Sequence, residues 1–265
     1  MLATDGEVTH GARVDEIDEP RPLTSADLAW VVELASARRA DIESFAPRFW
    51  KPAQDASRTH AAFLGSLIAE PDVLSIRTDH GFLFGRPRSG ALVVDDMATE
   101  DDAFWSLDGE ELLRSAGQGG RLRLVCPVPE TLNASAATAV GLSVAESWWH
   151  RDLPHVLSSP PDSEELGVRV DGAVGRLVPA PPVYAPGGPV LLVMSLTDAN
   201  ALSVIEDEAA RRGAPVSVVS QKPDDDRLAE LLTSAGYKRT TDYYEGRTSW
   251  CRYPGHEQAR HRCPC

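Results

Sequence analysis

Lysine is scarce in this chain. Only Lys51, Lys222 and Lys238 occur in 265 residues, and lysine plus arginine number 26 against 40 aspartates and glutamates. The net charge of −14 excludes a general nucleic-acid binder, because neutralising phosphates requires a basic face. It also gives an anionic membrane surface nothing to attract. Long apolar runs are missing too, and none approaches the roughly 18 residues of a membrane span. The opening MLATDGEVTHGARVDEIDEP has neither a basic nor an apolar stretch, so no signal peptide is expected and the expected compartment is cytoplasmic. Of four cysteines, Cys126 sits in a strand-like run as a buried thiol. The others crowd the tail as Cys251-x4-His256-x4-His261-x-Cys263-x-Cys265. That is neither the spacing of a disulfide-stapled core nor a zinc knuckle of the C-x2-4-C kind, so no metal is expected. No G-x-S-x-G, H-E-x-x-H or Walker-type loop is present. Arginine in place of lysine associates the chain with a GC-rich bacterial gene.

What the sequence does have is a repeat. TAVGLSVAESWWHR (138–151) and TSAGYKRTTDYYEG (233–246) share one layout: a helix-like run, a glycine, a large apolar residue, and an aromatic pair downstream. Trp148 follows Gly141 by seven residues, and Tyr243 follows Gly236 by seven. Upstream, RLRLVCPV (121–128) answers PVSVVSQ (215–221), and ALVVDDM (91–97) answers PVLLVMSL (189–196). A strand–helix–strand–helix–strand unit therefore occurs twice, and such self-similarity governs the fold.

In chain order, residues 1–12 are polar and patternless and are expected to be disordered. A short strand is expected from Arg13, ending before Pro20 and Pro22. Thr24-Ser25-Ala26-Asp27 reads as a capping box, with Leu28, Val31, Val32 and Ala35 on one helical face behind it. Phe45, Phe49 and Trp50 then cluster between Pro47 and Pro52; aromatics so placed either wall a substrate groove or plug a core. A second helix starts near Ser57. VLSIRT (73–78), GFLFGR (81–86) and ALVVDDM (91–97) read as an antiparallel meander. Helices near 102–116 and 131–140 alternate with strands at 121–128 and 142–151. These give a first domain over 13–151, a linker over 152–182 with short strands at VRVDG and GRLVP, a partial domain over 183–248 and a flexible tail over 249–265.

This order resembles the GNAT acyltransferase superfamily of acetyl-CoA-dependent N-acetyltransferases. RPLTSADLAWVVELASARRA is similar to the family's opening strand-to-helix junction, and the two helix–glycine–strand segments are similar to its closing one. The resemblance implies an α/β (α+β) fold: a mixed central sheet flanked by helices, here duplicated as a full domain plus a C-terminal half. It implies acetyl-CoA as cofactor and acyl transfer to an amine of a small molecule or peptide, with no nucleic acid or membrane partner and a homodimer within its range. Along the fourth-strand-like run it implies Asp95 or Asp96 as general base and Val94, Met97, Ala98 and Thr99 as cofactor contacts. Phe45, Phe49 and Trp50 would face the acceptor.

The sequence also departs from the family pattern. The family's phosphate loop, [RQ]-x-x-G-x-[GA], has small residues that let backbone amides approach the diphosphate at a helix N-terminus. The matching segments here, MATEDDAFW (97–105) and SLTDANAL (195–202), lack those glycines, and the first puts Glu100, Asp101 and Asp102 where like charge opposes a phosphate. The tyrosine that the family places four residues before the closing glycine is Ala137 or Leu232, and neither can donate a proton. Two function classes follow. One is an N-acyltransferase with a diverged CoA loop; the other is an inactive GNAT-like ligand-binding or interaction module. A cleft between the fourth and fifth strands that is open and ringed by amides favours the first, and one plugged by side chains favours the second. A third arrangement joins both copies in one sheet around one site, with the linker as its lid.

Overall fold

The computed structural model describes residues 19–154 and 167–248. The expected strand from Arg13 and the Cys/His tail from Cys251 lie outside the described residues. Within them, the opening strand is β1 (Arg21–Pro22), placed past the expected stop at Pro20. Among the described residues it pairs only with β2 (Leu74–Arg77), an edge position where proline's missing N–H costs no ladder bond. Asp27 reaches back to Thr24, accepting from its backbone N–H at 2.9 Å and its hydroxyl at 2.8 Å. Helix α1 (Leu28–Glu43) follows, then α2 (Ala56–Ile68). The meander continues through β3 (Gly81–Arg88) and β4 (Ala91–Thr99), as the strand-like runs and the turn residues between them predict.

After β4 come a 3-10 turn (Asp102–Phe104), a π-helical turn (Trp105–Gly109) and α3 (Glu110–Gly117). The first copy ends with β5 (Arg121–Pro127), α4 (Thr131–Ala139) and β6 (Ser143–Asp152). The expected linker holds its two short strands, β7 (Gly167–Val170) and β8 (Ala173–Val178), and the second copy supplies β9 (Val190–Leu196), α5 (Ala201–Arg211), β10 (Val216–Gln221), α6 (Asp226–Ser234) and β11 (Lys238–Arg247).

All eleven strands form one sheet in the order β1-β2-β3-β4-β5-β11-β6-β10-β9-β8-β7. Apart from the edge strand β1 the order is symmetric about the β11–β6 pair: each copy's last strand leaves its own unit and inserts beside the other copy's penultimate strand, β11 on β5 and β6 on β10. Trp148 opposes Thr241 and Glu146 opposes Tyr243, so the repeat meets itself in two-fold register. The aromatic pair of the repeat closes this seam, with the Trp148 and Tyr243 rings 5.0 Å apart. Glu146 ties the seam together, accepting from Arg123 of β5 (2.6 Å), Ser220 of β10 (2.6 Å) and the Trp148 indole (2.7 Å).

The repeated glycines end α4 and α6 alike. Gly141 (φ 95°) and Gly236 (φ 80°) take left-handed conformations that only glycine adopts cheaply. In both copies the glycine N–H and the next N–H return to the helix's last turn, Leu142 to Ala137 at 3.0 Å and Tyr237 to Leu232 at 2.9 Å.

Helices α3 to α6 all cover one face of the sheet, over cores that include Leu122, Leu124, Leu112 and Ala137 in the first copy and Leu191, Val193, Ile205 and Leu232 in the second. On the other face α1 and α2 pack on Phe82, Phe84 and Ala98. The second copy has no counterpart of α1 and α2 among the described residues. No helix of the described residues is long and apolar enough to cross a membrane.

Candidate functional site

Two irregularities recur at equivalent points of the two copies. In β4 the pairing to β3 slips between Phe84 and Gly85, leaving Asp95 as an extra residue, and in β9 the pairing to β8 slips in the same way, leaving Met194. Such bulges bend a strand and re-aim side chains. Strict alternation would separate Val94 from Met97 by one face, yet both lie in the core beneath α3 and α4 because the extra residue resets the phase. Beyond the bulge the parallel neighbours part. β4 and β5 pair only from Leu92–Leu122 to Val94–Leu124, and β9 and β10 only from Val190–Val216 to Val193–Val219. From Asp95 onward β4 has no strand partner on its β5 side among the described residues.

In the first copy this splay opens into a cleft of about 560 Å³, roofed by α1 and floored by the end of β4, the Pro129–Glu130 segment after β5 and the start of α4. Its lining carries five carboxylates, Asp41, Glu100, Asp101, Asp102 and Glu130, and one cation, Arg38. That cation is not free: the Arg38 guanidinium grips Glu130 with two bonds, at 2.5 and 2.9 Å. Burial works against its charge, but Glu130 outweighs burial and raises the arginine above its ordinary value. Glu130 also accepts from the Asn133 amide at 2.9 Å. Glu100 accepts from His80 (2.9 Å) and from the Trp30 indole (2.8 Å), and these bonds hold its carboxyl below the usual range while raising His80.

The helical run after β4 begins in this cleft, and its first orphan amide is already taken. Asp101 Oδ1 accepts from the Ala103 N–H at 3.0 Å. The second copy differs: Asp198 Oδ1 accepts from the Asn200 N–H at 2.9 Å in the turn ahead of α5, whose N-cap, Asn200, makes no side-chain cap bond. In the first copy the anion seat that a helix N-terminus offers is taken by the protein's own carboxylate. A nucleotide diphosphate does not fit these residues, since Glu100, Asp101 and Asp102 surround the seat with like charge.

The residues singled out in the sequence fall into four places. Ala98 and Thr99 line the cleft. Val94 and Met97 are buried beneath α3 and α4, so only their backbone can face it. Asp96 turns to α2, where its Oδ2 lies 2.8 Å from His60 Nε2, while Arg39 donates to His60 Nδ1 at 2.6 Å. Because arginine can only donate, Nδ1 is the acceptor and the ring proton sits on Nε2, donated to Asp96. Asp95 is exposed on the bulge; desolvation by surrounding protein raises its carboxyl, with Asp96 adding to the rise and Arg88 and Arg86 opposing it.

Phe45, Phe49 and Trp50 do not line the cleft. Trp50 is buried, Phe49 lies 4.0 Å from the His150 ring, and Lys238 Nζ sits 3.4 Å over Phe45 while donating to its carbonyl. Arg121 and Arg123 both meet Glu245, and Arg123 also meets Glu146.

Sequence reasoning passed over Arg38, Asp41, His60, Glu130 and Asn133. The one available signal was a glutamate between Pro129 and Thr131, just ahead of a helix. The connector also reaches this region: Val183 and Ala185 bond the backbone of Ala53 and Lys51, bringing Tyr184 opposite Pro52. Among the described residues no cluster of three or more His, Cys, Asp or Glu is arranged to hold a metal ion.

No family model matches the sequence, and no curated protein matches it. Solved structures do. An inferred acetyltransferase from Thermoplasma acidophilum superposes with a TM-score of 0.55 at 11% identity, covering 86% of this chain and 99% of its own. A GCN5-related N-acetyltransferase from Sphaerobacter thermophilus gives 0.50 at 10% identity, covering 86% and 95%. The likeness covers most of the described sheet and its helices, and the chain has the fold of the GNAT acetyltransferases.

Proposed function

We propose that the chain is a GNAT-fold ligand-binding protein whose site is the cleft of the first copy and whose ligand is not acetyl-CoA. The observation that carries this reading is the Asp101 carboxylate capping the helix after β4, with Glu100 and Asp102 beside it, at the place where a CoA diphosphate would need amides and positive charge. The cleft is open, so binding is retained as a property while the phosphate seat is internally filled. The test is isothermal titration of acetyl-CoA and of free CoA into the full-length protein. Neither is expected to bind at millimolar concentration, and micromolar binding of either refutes the reading.

A second reading, an acyl-CoA-dependent N-acyltransferase, is favoured by the carboxylate pair at the bulge. Asp95 has a raised pKa, and Asp96 is oriented by the His60 N–H. A raised carboxyl is suited to taking a proton from an amine. In that reading Met97, Ala98 and Thr99 offer the unpaired backbone edge of β4 to the cofactor, next to Val94 at the last paired position, Phe45, Phe49 and Trp50 stand on the acceptor side, and the acceptor is a small-molecule or peptide amine. Thiol release from acetyl-CoA in the presence of mixed amines, lost in Asp95→Asn, would establish it.

A further inference from the structure

We infer that a second pocket, at the start of α2, binds a phosphate monoester through the Arg39 guanidinium and the first free amides of that helix. The pocket holds about 310 Å³ between α1, the Pro52–Asp55 segment and the first turn of α2. It shares no lining residue with the cleft, so its ligand is independent of whatever the cleft takes.

Arg39 is the central group. It lines the pocket and is only 5% exposed, yet no carboxylate bonds it among the described residues. Its two bonds go to neutral acceptors, from Nη1 to His60 Nδ1 at 2.6 Å and from Nη2 to Ser36 Oγ at 2.8 Å. Asp96 stands behind the imidazole and accepts from its far side, at Nε2. Ser36 gives its own proton to the Val32 carbonyl at 2.6 Å. A guanidinium has five N–H donors, so three are left over. The sealed polar atoms without a partner are Arg86 Nε, Asn133 Oδ1 and His150 Nε2. Arg39 Nε has no acceptor and is not one of them, so it keeps open surface, and the open space that Arg39 lines is the pocket. Buried charges are ordinarily paired. The adjacent Arg38 follows that rule through Glu130, whereas burial lowers Arg39 and no bonded carboxylate offsets the fall.

The helix supplies the second set of donors. Asp55, the N-cap of α2, makes no side-chain cap bond and turns instead to Arg58 at 2.6 Å. The Ala56 N–H reaches the Ala53 carbonyl and the Thr59 N–H the Asp55 carbonyl. The Ser57 and Arg58 N–H groups between them have no acceptor among the described residues, and both residues line the pocket. Free amides at a helix start, with the dipole behind them, are an anion seat. After β4 that seat is filled by Asp101; here it is open.

Arg58 stands at the rim. Its pair with Asp55 joins two side chains that are both more than half exposed, and such pairs contribute little, so Arg58 exchanges Asp55 for a ligand at small cost. Arg39 and Arg58 against Asp55 make the pocket a net positive spot in a chain of net charge −14. Donors on α1, at the helix start and at the rim match the three terminal oxygens of a phosphate monoester.

The probe is inorganic phosphate, titrated calorimetrically into the full-length protein at pH 7 and constant ionic strength, beside acetate. Phosphate is expected to saturate with a Kd of about 1 mM, and acetate to bind at least about tenfold more weakly. Asp55→Asn removes the competing carboxylate and frees Arg58, so it is expected to tighten phosphate about fivefold, a gain that misfolding cannot produce. Arg58→Ala is expected to weaken phosphate about fivefold with an unchanged melting temperature. Arg39→Lys keeps the charge without the fork and is expected to weaken it about tenfold.

No saturable phosphate binding in the wild type overturns the site. Affinity unchanged in Asp55→Asn or in Arg58→Ala marks an adventitious ion only and overturns it as well. Wild-type affinity in Arg39→Lys overturns the role of the buried guanidinium, and acetate binding as tight as phosphate overturns the choice of ligand.

Discussion

His150 makes the stability of this protein acid-sensitive in a way that a single substitution can remove. Its side chain is 5% exposed, packed against Phe49 (ring centroids 4.0 Å) and edge-on to Trp50 (6.3 Å). Nδ1 lies 2.7 Å from the Thr240 hydroxyl, and Nε2 has no partner among the described residues. Burial pushes the imidazole down to about 3. The unfolded chain exposes an ordinary histidine near 6.5. Below that value the unfolded state takes up a proton that the native state refuses, so stability falls as the pH drops from about 6.5 towards about 3 and is unaffected above it.

One pH unit is worth about 1.4 kcal/mol, so lowering the pH from 7 to 5 costs about 2 kcal/mol at this residue. That is a large share of a typical total of about 5–15 kcal/mol. Carboxylates titrate as well, so the assay is a difference: urea unfolding of wild type and His150→Phe at pH 7 and pH 5. The wild type is expected to lose about 2 kcal/mol more than the variant between the two. Parallel losses would mean that the ring is solvated or protonated in the native state, and the burial argument would fail.

Three further outcomes are expected. Gly236→Ala has open space for the new Cβ, so its cost comes from the left-handed backbone alone, about 1–2 kcal/mol by chemical denaturation, and a neutral result refutes the cap assignment. Glu146→Gln should destabilise by about 2–3 kcal/mol at pH 7, because one carboxylate accepts from both exchanged-strand neighbours, β5 and β10. Burial opposes that carboxylate's charge but its bonds to Ser220, Arg123 and Trp148 lower its pKa, so wild type and variant should converge as the pH falls through the carboxylate range. Glu130→Gln leaves Arg38 without its charged partner in a largely buried site and should cost about 3 kcal/mol; a melting temperature equal to wild type would show that the pair is solvated.

Much of the fold was legible because the repeat and the local signals agree. Gly141 and Gly236 mark helix ends by a backbone requirement that few other residues meet, and the strand-like runs 81–86 and 91–97, with the turn-like Pro87–Gly90 between them, specify a hairpin on their own. The strand exchange was not legible. Inserting β11 beside β5 satisfies the same alternation as a hairpin of β6 with its own neighbour, and only Glu146 reaching Arg123 and Ser220 at once shows the preference. The position of the acids was legible from Glu100-Asp101-Asp102 following β4. The cleft's other wall was not: Arg38 and Glu130 are far apart in sequence, and neither has a local pattern that announces a partner. Phe45, Phe49 and Trp50 show the limit of composition, since the same aromatics suit a groove or a packed seam, and contact with His150 and Lys238 depends on where β6 and β11 lie.

The duplication itself bears on which half can work. Both copies keep the bulge and the splay, but an acid caps the following helical run only in the first, Asp101; Asp198 bonds Asn200 in the turn ahead of α5. They differ in what covers the slot and in what the bulge presents. In the first copy α1 roofs the splay and closes a volume around it, and the bulge residue is Asp95. In the second, no counterpart of α1 and α2 stands over the sheet among the described residues, and the bulge residue is Met194, 67% exposed. A bare slot excludes water from nothing, whereas a roofed one strengthens each electrostatic contact within it. The first copy therefore concentrates whatever recognition the protein performs. Through the exchanged strand β11, the second copy supplies the neighbour that completes the sheet beside β5.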